Sequence, residues 1–332
     1  MALPKILLCL DTDAQPSVFD GVVAIDSGVN QLLRHSAVTP AEVRNLVHGL
    51  MFTRGGEELR NSAVFVGGAD VVAGEQLLQA VKDAFFGPVR VSAMVDSNGS
   101  NTTAAAAVVC AGRHVSLGPE TIALVLGTGP VGQRVVRMLA REGVDVRVGS
   151  RRKTHAEAIC HRIGTAVPGA LLTSHSTTDS DLAELLENVQ VVISAGPPAV
   201  ELLSAATRQG AKALQVAIDL NAVPPVGISG IDPTDKASQR GKLICYGALG
   251  IGSLKMKIHK AALRQLFESN NRILDAGRPQ GTFQGPGGGL GRFGDALACC
   301  TDLPSFTGDP MLVIADPADD IGSGTVWIVN AL

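Results

Sequence analysis

Ile122-Ala123-Leu124-Val125-Leu126 runs into Gly127-Thr128-Gly129-Pro130-Val131-Gly132, and that loop opens the helical pattern of Gln133 to Arg141. The glycines spell GxGxxG, which is weak evidence alone. Between a strand and a helix it is the signature of a dinucleotide-binding turn. Each glycine has a physical task. Gly127 permits the tight turn, Gly129 lets the backbone approach a pyrophosphate, and Gly132 lets helix and strand pack closely. The helix N-terminus offers unpaired N–H groups and a partial positive charge to the phosphates. Thr128, Pro130 and Val131 complete the cofactor-binding loop.

The end of the following strand, Val144 to Val148, speaks to which dinucleotide. An NAD site usually places an acid there, about 20 residues on, to bind the ribose 2′-hydroxyl. This chain has Gly149-Ser150-Arg151-Arg152-Lys153 instead. A carboxylate would repel a 2′-phosphate, whereas Arg151 or Arg152 can pair with it bidentately. The expected cofactor is NADP, with NAD as the alternative. Further on, Ser194-Ala195-Gly196-Pro197 ends a strand and places Ala195 and Gly196 along the nicotinamide side. Asp219 and Asn221 end the next strand, where a ligand role and a turn-building role are both open.

Outward from this unit the same alternation continues. Strand-like runs at Ile6 to Leu10, Val64 to Val66 and Val89 to Val95 alternate with helical runs after Thr39, at Val71 to Phe85 and at Thr102 to Ala111. Such alternation predicts α/β architecture with parallel sheets and right-handed crossovers. The expected organisation is an N-terminal α/β substrate domain over 1–102, a Rossmann-type domain over 103–253, and a cleft between them. A helix over 254–276 packs back on the first domain. Residues 277–332 form a Gly-rich, irregular extension. Net charge is −3, from 28 basic and 31 acidic residues, too weak a field to gather nucleic acid or an anionic membrane. Only 3% of residues are aromatic, which argues against base-stacking surfaces. Apolar runs fall far short of the ~20 residues of a membrane span, and no signal peptide is read. The six cysteines show no CxxC and the seven histidines no HExxH, so free thiols, a cytoplasmic setting and no metal are expected.

Several polar segments at strand ends make poor core: Asp11-Thr12-Asp13 with Pro16 to Asp20, Thr53 to Gly56, Asp96-Ser97-Asn98-Gly99-Ser100-Asn101-Thr102-Thr103, and Gly247-Ala248-Leu249-Gly250-Ile251-Gly252 with Leu254 to Lys257. Together, from about Lys5 to Asp275, they resemble the bacterial NAD(P)-dependent methylene-tetrahydromethanopterin dehydrogenases, some of which also accept methylene-tetrahydrofolate. The resemblance implies a homo-oligomer whose pterin lies between the two domains. By position, Phe19 would pack against the pterin rings, with Asp20, Asp96, Asn98, Asn101 and Lys255 lining the same pocket. Phe19 and Lys255 would stand nearest the chemistry. Lys255 and His259 share a helical face at i,i+4 spacing. The pattern departs after Asp275 and at Leu220, where an aromatic is expected beside the cofactor.

The implied reaction moves a hydride from the methylene carbon to NADP and leaves the methenyl pterin. No proton moves, so no acid–base pair is required. Three alternatives are kept. One is a methylene-tetrahydrofolate dehydrogenase. Another is a shikimate-type dehydrogenase, which would need a lysine–aspartate pair that no segment offers clearly. The third is a non-catalytic NADP-binding sensor.

Overall fold

The computed structural model describes residues 3–177 and 182–275. The expected irregular extension over 277–332 lies outside the described residues. The chain forms β1 (Ile6–Asp11), α1 (Val18–Asp26), β2 (Gln31–His35), α2 (Pro40–Met51), β3 (Ser62–Gly67), α3 (Val71–Asp83), β4 (Ser92–Val95) and α4 (Ser100–Gly112). It continues through β5 (Ile122–Leu126), α5 (Pro130–Arg141), β6 (Asp145–Ser150), α6 (Lys153–Ala166), β7 (Leu172–Ser176), α7 (Leu182–Leu185) and β8 (Val191–Ser194). After α8 (Ala205–Gly210) come β9 (Val216–Asp219), β10 (Lys236–Arg240), β11 (Leu243–Tyr246), α9 (Gly252–Gln265) and β12 (Ile273–Leu274).

Two sheets result. The first has the order β12-β4-β3-β1-β2 and all its pairings are parallel. β3 is buried along its whole length, as a parallel strand covered on both faces requires. The second sheet has the order β10-β11-β9-β8-β5-β6-β7, parallel except for β10 against β11. Successive strands run one way from β5 to β7, and the chain then returns to add β8 on the other side of β5. That reversal is the topological switch point, outside whose carboxyl strand ends ligands bind in open α/β sheets.

Local chemistry accounts for the covering helices. Before α2, the Thr39 N–H donates to Glu42 at 2.8 Å, closing a capping box ahead of Pro40. Asp70 accepts from the Val72 and Ala73 N–H groups and starts α3. α4 is different. Ala104 to Ala107 are all fully buried, and so are Asn101, Thr102 and Thr103. A helix apolar all round belongs in the interior, and α4 packs against both α5 and α9. Small side chains let the neighbouring helices come close, and one core cluster extends through α4 from Leu7 and Phe65 of the first sheet to Val125 and Ile193 of the second. A domain boundary at 102/103 falls inside this shared helix.

Four elements depart from the expected pattern. β2 and β10 are solvent-facing edge strands with mostly exposed side chains, so neither shows an apolar alternation. The segment containing Phe19 is helical, not an irregular strand end. Ser17 caps α1 by accepting the Asp20 N–H at 3.2 Å, and its apolar Val18, Val22 and Ile25 face outward, inverting the usual signal. The helix expected over 254–276 stops at Gln265, and the chain turns back to add β12 beside β4.

Candidate active site

The glycine loop is built as its sequence demands. Gly127 has φ +117°, and a Cβ there would lie 2.4 Å from the Ala195 carbonyl oxygen. A Cβ on Gly132 would meet the Gly127 oxygen at 2.1 Å. Both positions are closed to any side chain by neighbouring backbone. Gly129 is the opposite case: a Cβ there would meet nothing within 4 Å. It is the N-cap of α5 and, as a glycine, brings no side-chain cap of its own to that helix end. Open space thus faces a ring of backbone N–H donors, the cradle a pyrophosphate would fill. The residues present fit a dinucleotide.

At the neighbouring strand end, the Thr128 hydroxyl is 3.4 Å from that of Ser150. Arg151, Arg152 and Lys153 follow, all exposed. Ala195 and Gly196 come next to Gly127 from β8, with Gly196 pressed against Leu202. Asn221 belongs to its own loop. Its side chain accepts from the Val223 N–H at 2.9 Å and donates to the Pro225 carbonyl at 3.1 Å. Asp219 accepts from the Asn221 and Ile228 N–H groups, so both residues build the turn. Leu220 is buried in the core.

A second cluster forms at the carboxyl ends of the first sheet. α1 supplies Phe19 and Asp20, the turn after β4 supplies Asp96 and Asn98, and α9 supplies Lys255 and His259. Phe19 is 43% exposed, available to a ligand rather than consumed by the core. His259 is buried, stacked on Phe65 at 5.7 Å between ring centroids and tilted to Phe19 at 6.4 Å. Its Nδ1 is 3.9 Å from an Asp96 carboxylate oxygen, and its Nε2 has no hydrogen-bond partner among the described residues. Asp96 also caps α4, accepting from the N–H groups of Asn101 and Thr102 at 2.9 and 3.1 Å and from the Thr102 hydroxyl at 2.7 Å. Asn98 is half-buried at φ +54°, a left-handed position that asparagine tolerates.

Electrostatics tie this cluster together. Burial, reinforced by the charges of Asp96 and Asp11, pushes the Asp20 carboxyl up to about 7, against the pull of Ser17 and Lys255. Burial lowers the Lys255 ammonium, while Asp96 and Asp20 hold it up. Burial likewise lowers the His259 imidazole, so it favours the neutral ring. The pocket therefore sets the Lys255 amine between the Asp20 and Asp96 carboxyls, beside the aromatic wall of Phe19 and His259.

Three residues stand apart from expectation. Asn101, expected among the substrate contacts, is fully buried and its amide is engaged at both ends. It donates to the Val95 carbonyl at 2.6 Å and accepts from the Arg134 guanidinium. His259 was legible only as the i,i+4 partner of Lys255, yet it forms the floor beneath Phe19. Arg134, on α5, carried no sequence signal of a role.

The N-terminal model of methylene-tetrahydromethanopterin dehydrogenase matches residues 18–98. The saccharopine dehydrogenase NADP-binding domain matches residues 123–241. The bifunctional protein MdtA of Methylorubrum extorquens strain AM1 is 44% identical over 276 residues, 82% of this chain and 95% of that relative. The NAD(P)-dependent methylenetetrahydromethanopterin dehydrogenase of the same organism is 31% identical over 275 residues, 77% of this chain and 90% of that protein. Among solved structures, the ligand-free 5-ketofructose reductase of a Gluconobacter species, strain CHM43, aligns over 80% of this chain and 98% of that chain at 13% identity, with a TM-score of 0.49.

Proposed function

Because the chain belongs to the methylene-tetrahydromethanopterin dehydrogenase family, we propose that it transfers a hydride from N5,N10-methylene-tetrahydromethanopterin to NADP and releases the methenyl pterin. It is an NAD(P)-dependent oxidoreductase. One observation carries the detailed reading. The Arg134 guanidinium of α5 donates to Asn101 of α4, which brings the start of the helix behind the glycine cradle beside the start of the helix that follows Asp96 and Asn98. The dinucleotide cradle and the Phe19–Asp20–Lys255 pocket therefore adjoin, the arrangement a direct transfer needs.

The roles follow from the chemistry. Gly127 to Gly132 hold the pyrophosphate, Arg151 and Arg152 the 2′-phosphate, and Ala195 and Gly196 flank the nicotinamide. When bound, the dinucleotide accepts the hydride and its electron pair. On the pterin side, Phe19 lies against the ring, and Asp20, Asp96 and Asn98 bind its polar edge. The methylene carbon lies between two nitrogens whose lone pairs stabilise the cation left when hydride departs. No proton is exchanged, so the protein needs no general acid or base. Its task is to hold two rings at about 3–3.5 Å and exclude water. Lys255 fixes the pterin and, as a cation beside a carbon becoming positive, biases the equilibrium away from a trapped methenyl product. The protein acts in the cytoplasm, as a homo-oligomer, on this small-molecule partner.

The experiment is a steady-state assay with purified protein, methylene-tetrahydromethanopterin or methylene-tetrahydrofolate, and NADP or NAD, followed by NADPH absorbance. The account expects the highest kcat/KM with the methanopterin and NADP. A higher value with methylene-tetrahydrofolate reassigns the carrier. NADP binding without turnover on either carrier makes the protein a sensor and refutes the enzymatic reading.

A further inference from the structure

Arg134 is a buried cation in the second turn of the dinucleotide helix, and its three bonds point in three directions. Its Nε donates to the Asn101 side chain of α4. One terminal nitrogen donates to the Pro130 carbonyl at 3.0 Å, in the glycine cradle itself, and the other to Glu75 of α3 at 2.9 Å. Asn101 carries the connection onward. Its side chain donates to the Val95 carbonyl, and its backbone N–H donates to Asp96. Glu75 does so by another route. It follows Gly74, where a Cβ would strike the Ser97 hydroxyl at 2.0 Å, so α3 rests directly on the Asp96–Ser97 turn. Two paths thus lead from one guanidinium to the same turn of the pterin pocket. Guanidinium is suited to this because its donors lie in a fixed plane, so each bond constrains the direction of the others.

We propose that Arg134 is a positioning residue for the hydride transfer: through Asn101 and Glu75 it locks the starts of α4 and α5 together and sets the separation of the pterin and nicotinamide pockets. The inference rests on the reading of the reaction given above and adds how its geometry is held. A near-attack arrangement is sensitive to displacements of about 1 Å, whereas binding of either ligand to its own half-site is not. Loss of the lock should therefore lower kcat and leave binding alone. Asn101 acts within the lock, not as a substrate contact.

The test uses the full chain with Arg134→Met, Glu75→Gln and the double variant. Glu75 is half-exposed on a helix surface, so Glu75→Gln keeps the fold even where Arg134→Met does not. Four quantities are read: the NADP Kd by calorimetry, KM for methylene-tetrahydromethanopterin, kcat, and the isotope effect with a dideuterated methylene carbon. The lock predicts a kcat at least tenfold lower in Arg134→Met and three- to fivefold lower in Glu75→Gln. Kd and KM should stay within about threefold, the isotope effect should rise, and the double variant should be no slower than Arg134→Met alone. A merely structural role would lower Tm and leave kcat of the folded enzyme unchanged, which overturns the proposal. So does a double variant whose losses multiply. Absence of turnover by the wild-type protein overturns the reaction and the lock together, whereas wild-type turnover with unaltered Glu75→Gln kcat overturns the lock alone.

Discussion

Replacing Asp20 with asparagine should remove a pH dependence of stability that the wild-type protein carries. In the fold, burial and the neighbouring carboxylates raise this group from 3.8 to about 7. A raised carboxyl binds more protons folded than unfolded at every pH between those two values. Stability therefore falls as pH rises, beginning near the unfolded value and ending as the folded group ionises. Between about pH 5 and pH 8, two such values imply a loss of roughly 2–3 kcal/mol at 1.36 kcal/mol per unit. Asp20 is half-buried by exposed area, and the remaining solvent screening trims the loss to about 2 kcal/mol. For a protein of 332 residues the drop in Tm is about 3 °C. Thermal unfolding across this range, followed by circular dichroism, measures it. The Asp20→Asn curve should run flatter than wild type and lie above it at alkaline pH, because a neutral amide stands in for the protonated acid. Parallel curves for the two proteins would refute the placement of Asp20 in a buried, acid-rich pocket.

Gly129→Ala should fold with wild-type Tm, since its Cβ meets nothing, yet weaken NADP at least tenfold in calorimetry by filling the cradle. Gly132→Ala, whose Cβ collides with the Gly127 carbonyl, should lose NADP affinity and also about 1–3 kcal/mol of stability by denaturant titration. Arg151→Glu should raise the KM for NADP more than tenfold and leave that for NAD nearly unchanged; equal effects would remove Arg151 from the 2′-phosphate. Lys255→Ala should lower kcat/KM more than tenfold, and a value within threefold of wild type would end its catalytic role.

The second sheet was legible because its signals are local. Gly127 to Gly132 read as a turn from steric needs alone, and the strands around it are continuous apolar runs. Edge strands β2 and β10 were not legible, because a strand with both faces near water carries no apolar alternation. α1 was missed for a related reason: Val18, Val22 and Ile25 face outward, so periodicity pointed away from the core. At the site, the positions taken from the family resemblance come near one another for Phe19, Asp20, Asp96 and Lys255, linked through His259 and their charges. Asn101 does not join them, because its place in a polar run says nothing of which way the amide turns. Arg134 and Glu75 are separated by 59 positions in the chain, and only folding makes them a pair.

The most direct test of the central claim follows a labelled hydride. With the methylene carbon dideuterated, mass spectrometry of the reduced dinucleotide should find one deuterium per NADPH formed and none released to water, because transfer is direct and no proton step intervenes. Reduced dinucleotide carrying solvent hydrogen, or methenyl pterin formed without NADPH, would contradict it.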